Sequence, residues 1–345
     1  MKSVSHCVLP PFVLESIARN GSAESRDTAL RNLSVDHSVR ASRLIEQLAP
    51  TLGPESPAPS LARTIADAKT STSLPGTTVR TEGNDATDDV AVNEAYDGLG
   101  ATFDFYWEAY SRNSINNRGQ ALRATVHFDE DYDNAFWNGR RMIFGDGDGT
   151  YFNRFTVSVD VIGHELTHGV TGSERNLEYQ GQSGALNESI SDVFGSLVKQ
   201  YSQPTRQTAD QADWLIGAGL FTDRVQGVAL RSMKAPGTAF DDPVLGKDPQ
   251  PATMADYVDT ASDNGGVHTN SGIPNRAFYL AAMAFGGYSW EHAGRIWYET
   301  LRDSSLPLAA SFKQFATLTV ITAETLFDDE ARDIVSSAWN QVGVL

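Results

Sequence analysis

His164-Glu165-Leu166-Thr167-His168, followed by Gly184-Ala-Leu-Asn-Glu188-Ser-Ile-Ser-Asp192, is the stretch on which the reading of this 345-residue chain turns. Positions four apart on a helix differ by about 40° of rotation, so both imidazoles of the first segment project from one face and can share one ion. Glu165 sits one step round that face, where it reaches water on the ion without being a ligand. The third donor decides the class. A three-histidine site needs Gly at 171 and His at 174, but these positions hold Thr and Glu, so that arrangement is excluded. Glu188 instead offers a carboxylate oxygen that completes a two-histidine, one-glutamate zinc set, leaving the fourth tetrahedral position for water. Asp192, one helical turn on, can accept the other ring N–H of His164 and fix its tautomer.

Composition narrows the rest. With 27 Lys and Arg against 44 Asp and Glu, the formal charge of −17 argues against a nucleic-acid surface or an anionic-membrane anchor. A single cysteine rules out an intrachain disulfide and a multi-cysteine zinc module. The most apolar run, Ala277 to Tyr288, falls short of the roughly 20 residues that span a bilayer. The apolar run after Lys2 is interrupted at Pro10 and Pro11, so no secretory signal is readable; the chain is expected to be cytoplasmic or to leave by a route the sequence does not display.

Residues 1–60 form a charge-neutral unit, while the remainder carries the whole −17. Leu14–Arg19 and Val35–Leu48 have helical spacing, and four prolines between Pro50 and Pro59 mark an exposed linker. From 61 to 155 the pattern favours strands and turns, with alternation over Ala124–Phe128, a turn at Gly145–Gly149 and one long helix over Tyr96–Ser111. From 156 to 345 the chain reads as helices, over 159–173, 184–201, 270–286, 288–302 and 309–323. The expectation is an α+β fold: a small N-terminal unit, a β-rich lobe and a helical lobe.

Further stretches carry a family likeness: Asn134-Ala-Phe-Trp-Asn-Gly139, Gly145-Asp-Gly-Asp-Gly149, Ser183–Gly195, Leu230-Arg-Ser-Met233 and Asp263-Asn-Gly-Gly-Val-His268. In that order, from about residue 61 to the end, the chain resembles the thermolysin-like zinc metallopeptidases. The resemblance implies a two-lobe catalytic domain with the zinc helix at the floor of the cleft. It implies one catalytic zinc on His164, His168 and Glu188, and Glu165 as general base. It makes Tyr179 and His268 the donors to the oxyanion, with Asp263 orienting His268. It also implies that Arg231 holds a substrate carbonyl, and that Val161, Ile216 and Leu230 line an apolar pocket just after the scissile bond, so that cleavage falls before a bulky hydrophobic residue. Asn134 and Ala135 lie on a segment that reads as an edge strand, able to pair with an extended peptide. Peptide or protein substrates follow, and a monomer is expected.

Two departures matter. Long-propeptide relatives carry a paired calcium site beside the zinc helix; here Asp160 and Asp213 remain, but Lys199, Leu215 and Ala218 stand where ligands are expected. Calcium takes about six to eight oxygens, so no calcium is expected and Lys199 should lie between the two aspartates as a substitute charge. Asp129-Glu-Asp-Tyr-Asp133 is no calcium loop either, since Asn134 and Arg140 replace its glycine and final glutamate; it reads as a solvated acidic loop. The second departure is the short N-terminal unit. Pro10-Pro11-Phe12 resembles the Pro-Pro-hydrophobic motif of the short-propeptide, protealysin-like branch, whose members tend to lack calcium sites. A stiff Pro-Pro segment loses little entropy on binding, so this unit is expected to lie in the cleft as an autoinhibitory propeptide with Phe12 in the apolar pocket, cut from the enzyme between about Pro50 and Thr64. A Cys7 thiolate on the zinc is chemically sound, but a packed cysteine is the plainer expectation.

The reading is a zinc endopeptidase made as a latent precursor, its secretion favoured by resemblance alone. The alternatives are a catalytically weak zinc-containing peptide-binding domain, of inhibitor or adhesin type, and an exopeptidase, for which no terminus-capturing motif is visible.

Overall fold

The structure, a computed structural model, describes residues 7–46 and 61–345. The proline-rich linker expected between Pro50 and Pro59, and with it most of the expected cleavage region, lies outside the described residues.

The N-terminal unit is a helical hairpin, α1 (Pro11–Asn20) and α2 (Ala23–Glu46). Pro11 suits the first turn of α1, where its missing N–H leaves no partner unsatisfied. Val13, Leu14 and Ile17 recur at helical spacing and are buried. A five-stranded sheet follows, in the order β2 (Thr77–Thr81), β1 (Arg63–Asp67), β3 (Leu122–Val126), β5 (Met142–Phe144), β4 (Ala135–Trp137). β3 lies parallel to β1 and to β5, while the β1–β2 and β4–β5 pairs are antiparallel. β4 therefore stands at the edge, with Asn134 just before it, as the edge-strand reading requires. The long helix of this lobe, α3 (Val90–Tyr110), begins six residues earlier than its aromatic spacing suggests, because the Asp89 side chain caps the N–H groups of Ala91 and Val92.

The second half contains α4 (Val159–Ser173), α5 (Gly181–Ser202), α6 (Asp263–Asn270), α7 (Gly272–Phe285), α8 (Ala293–Arg302), α9 (Phe312–Leu326) and α10 (Asp329–Gln341). α10 was not expected from the sequence; Asp328 caps its start, and its buried face is only Ala331, Val335, Ala338 and Trp339.

α4 and α5 cross closely. A Cβ at Gly163 would stand 3.1 Å from the Gly195 Cα, and one at Gly195 would stand 2.4 Å from the Asp160 carbonyl oxygen. A side chain at 195 is excluded and one at 163 is tight, so the two glycines let the helices approach this far and bring the His164 face of α4 against the Glu188 and Asp192 face of α5. The hydrophobic cores do not divide at residue 155. Phe105, Tyr106 and Tyr110 of α3 pack into the helical core, whereas Leu220, Leu230, Phe240 and Leu245 join the core beneath the sheet.

Candidate active site

His164, His168 and Glu188 are buried, and one donor atom from each lies within 4.8 Å of the others. The tautomers follow from their neighbours. His164 Nδ1 lies 2.8 Å from Asp192 Oδ1, and His168 Nδ1 lies 2.8 Å from Asn187 Oδ1. Both acceptors require an N–H at Nδ1, which leaves each Nε2 with its lone pair. These two nitrogens face one another at 3.1 Å. Two lone pairs at that separation repel unless a proton or a metal cation stands between them. Glu188 Oε1 lies 3.5 Å from His168 Nε2, and its Oε2, 3.5 Å from the Nε2 atoms of both His164 and His268, is buried with no hydrogen bond among the described residues. Two convergent lone pairs and an unpartnered buried carboxylate oxygen are the donor set of a zinc ion, so the residues present fit that metal.

The electrostatics agree. Burial works against the charge on His164, but Asp192 and Glu188 outweigh it and raise its pKa to about 9. Burial likewise works against ionised Glu188, yet His268, His168 and His164 hold it well below the usual carboxylate range. Asp192, fully buried, is drawn down to about 2 because Arg231 and His164 overcome its desolvation. Arg231 reaches Asp192 with two nitrogens, each at 2.9 Å, and Asn275 donates to the same carboxylate at 2.8 Å. Asp192 thus ties the His164 ring to Arg231. Removing one partner of such a buried pair costs about 3–5 kcal/mol, since the other charge is left unpaired.

Other residues expected at the site gather round it. Trp137 N–H, on β4, donates to Glu165 Oε2 at 2.9 Å, joining the edge strand to the zinc helix. The Tyr179 hydroxyl donates to Glu188, and lies 3.4 Å from His268 Nε2. His268 is set by Asp263, which accepts its backbone N–H at 2.9 Å and faces its Nδ1 at 2.7 Å. A run of left-handed backbone from Asp263 to Gly266, with φ between 49° and 86°, folds the aspartate back under the ring; glycine at 265 and 266 takes this conformation without strain. Val161 and Leu230 share a buried cluster, but Ile216 packs in the helical core instead, although its strand pairing sets it opposite Arg231. Asn187 and Asn275, the partners of His168 and Asp192, were not picked out from the sequence; Asn187 adjoins Glu188 in the quoted segment.

The N-terminal unit enters this cleft, though not as expected. Val8 N–H donates to the Ala135 carbonyl at 3.3 Å, Leu9 N–H to Asn134 Oδ1 at 3.1 Å, and Arg231 to the Val8 carbonyl at 2.9 Å. The Cys7 carbonyl lies 3.1 Å from His268 Nε2. The segment whose backbone meets these groups is Cys7–Leu9, ahead of the Pro10-Pro11-Phe12 motif. Pro10 is buried and Pro11 starts α1, while Phe12, half-buried on its first turn, packs against the cluster that holds Val161 and Leu230. The acidic loop is corrected in part: Glu130 and Asp131 are exposed as expected, but Tyr132 and Asp133 are buried. Asn32 donates to Asp133 at 3.3 Å, and Asp36 accepts from Tyr132 and, at 3.1 Å, from Asn134. The loop is where α2 docks.

On the far side of the α4–α5 crossing, Lys199 Nζ lies 3.0 Å from Asp160, 2.8 Å from Asp213 and 3.2 Å from the Leu215 carbonyl, between the aspartates as the sequence suggests. Burial disfavours its charge, but the two aspartates raise its pKa above the usual value.

Comparison with known proteins gives the same picture. A family model described as the catalytic domain of thermolysin metallopeptidase matches residues 55–172, and one described as its alpha-helical domain matches 175–344. The chain is 53% identical over 345 residues to an "Extracellular metalloprotease" of Pectobacterium carotovorum subsp. carotovorum, covering 100% of this chain and 98% of that one. It is 48% identical to "Protease PrtS" of Photorhabdus sp. (strain Az29), covering 98% of this chain and 91% of the relative. A solved structure, the precursor of protealysin, a metalloproteinase from Serratia proteamaculans, superposes with a TM-score of 0.91 at 55% identity, covering 99% of this chain and 100% of that one. The chain belongs to the thermolysin metallopeptidase family, a family of zinc-dependent proteases.

Proposed function

We propose that this protein is a zinc endopeptidase held latent by residues 1–60 and cutting on the N-terminal side of bulky hydrophobic residues. The observation that carries the reading is the convergence of His164 Nε2, His168 Nε2 and the Glu188 carboxylate, each imidazole within 3.5 Å of one of its oxygens. Zinc bound by these three would supply Lewis acidity and bring the pKa of water to about 7. Glu165, whose other oxygen is held by Trp137 N–H, is placed to take the water proton and pass it to the departing amine. His268, held in place by Asp263, donates to the carbonyl oxygen as it gains charge, joined by Tyr179 once its hydroxyl turns from Glu188. Arg231, fixed by Asp192, holds the next carbonyl; Asn134 and Ala135 hold the peptide as an added strand. Val161 and Leu230 supply the apolar wall.

The N-terminal unit acts as inhibitor by placing its own backbone on these same groups. Lys199 supports the further reading that calcium is not taken up between Asp160 and Asp213, since an ammonium already satisfies both acids. Secretion is proposed because relatives are named extracellular proteases; comparing culture medium with cell contents tests it. Glu165→Gln tests the chemistry. Hydrolysis of a peptide blocked at both ends should fall by about 10²–10⁴-fold with zinc content unchanged; undiminished hydrolysis would contradict the role. Mapping the cuts in a denatured protein tests the preference for bulky apolar residues.

A further inference from the structure

We propose that the Cys7–Val8 peptide bond is itself a cleavage site of this enzyme, cut in cis within the precursor, and that the cut precursor stays latent. The inference rests on the endopeptidase reading above. Its basis is the direction and register of the segment in the cleft. The carbonyl before the bond, of Cys7, faces His268 at 3.1 Å. The N–H after it, of Val8, bonds the Ala135 carbonyl at 3.3 Å, and the Val8 carbonyl takes Arg231 at 2.9 Å. The next N–H, of Leu9, goes to Asn134 at 3.1 Å. These are the groups assigned to a substrate, met in substrate order, with the Cys7–Val8 bond in the reacting place.

Neither residue of that bond is proline. Pro10 and Pro11 lie beyond Leu9, where they end the cleft strand but protect only the Leu9–Pro10 and Pro10–Pro11 bonds. Val8 is apolar, fully buried, and shares its cluster with Val161 and Leu230, which suits a cut on its N-terminal side. Hydrolysis adds one water: the bond between the Cys7 carbonyl carbon and the Val8 nitrogen breaks, Cys7 becomes a carboxylate, and Val8 becomes an amine that receives the proton carried by Glu165.

The cut need not open the cleft. Everything from Val8 onward remains held by Arg231 and Asn134, by Ser16 on the Val244 carbonyl at 2.8 Å, and by Asn32 and Asp36 on the acidic loop. Val13, Leu14 and Ile17 stay buried in the same core. Activation would then require loss of the α1–α2 hairpin, a separate event from this cut.

The test uses the full-length precursor with one equivalent of zinc at neutral pH, followed by intact mass and N-terminal sequencing. A chain beginning at Val8 should accumulate at a first-order rate independent of protein concentration, with no rise in hydrolysis of a blocked peptide, and Glu165→Gln should abolish it. A precursor that keeps its residues before Val8 would overturn the proposal, provided that mature enzyme from the same preparation hydrolyses the blocked peptide; the endopeptidase reading would then stand. A cut whose rate rises with concentration would overturn the cis assignment. If neither the cut nor blocked-peptide hydrolysis occurs, both readings fall together.

Discussion

The paired helices α4 and α5 carry two clusters of charge, one on each side of their crossing, and the clusters solve the same problem oppositely. On one side, His164, His168 and Glu188 converge their lone pairs and leave a carboxylate oxygen unpartnered, so the site needs a cation from outside. On the other, Asp160 and Asp213 meet Lys199, a cation the chain supplies itself. Asp160 and His164 are one turn apart on the same helix. The difference lies in what each cation must do. An ammonium on a four-carbon stem can neutralise acids, but it cannot offer an open coordination position to water. A structural charge can be replaced by a side chain; a chemical one cannot.

The comparison can be broken most severely at Lys199. Lys199→Met leaves Asp160 buried with its charge unmatched, although Ser158 and Gly217 still donate to it. Denaturant unfolding should show a loss of about 3–5 kcal/mol; a loss below about 1 kcal/mol would mean that the ammonium is not the substitute charge. Metal removal comes next. Stripping zinc with a chelator should abolish hydrolysis and lower stability by about 2.7 kcal/mol relative to protein at a free zinc level one hundred times Kd. Calcium added to the stripped protein should restore neither. A smaller effect is expected at Asn187, which holds the His168 ring. Asn187→Ala should weaken zinc binding about 10–100-fold in a competition titration, while Asn187→Asp, which keeps the acceptor, should retain it. Least affected should be Asp213→Asn. The Asp213 carboxylate is 46% exposed, so its pairing with Lys199 is worth at most about 1 kcal/mol in denaturant unfolding.

The zinc helix was legible because its chemistry is local: His164, Glu165 and His168 fall within two turns of one helix, and Glu188 and Asp192 repeat the four-residue spacing. Strand β3 was legible from the alternation over Ala124–Phe128. Asn275 was not, since its contact with Asp192 joins residues far apart in the chain, and nothing in Gly272–Phe285 marks a polar function. α10 escaped because two of its four buried residues are alanines, which leave little apolar periodicity to read. The N-terminal unit gives the sharpest lesson. Proline marks stiffness, and stiffness was read as the inhibitory element. The hydrogen bonds to the site come instead from the preceding Cys7–Leu9, through backbone groups that side-chain patterns do not report.

The central claim is that one cation, and no second, is held where the two imidazoles converge. It is tested most directly by elemental analysis, joined to anomalous scattering, of protein purified without chelators. One zinc per chain is expected, located between His164, His168 and Glu188 and lost in His168→Ala, with no calcium beside Lys199. A chain with no zinc at those residues after soaking in the metal, or one that holds calcium between Asp160 and Asp213, would contradict it.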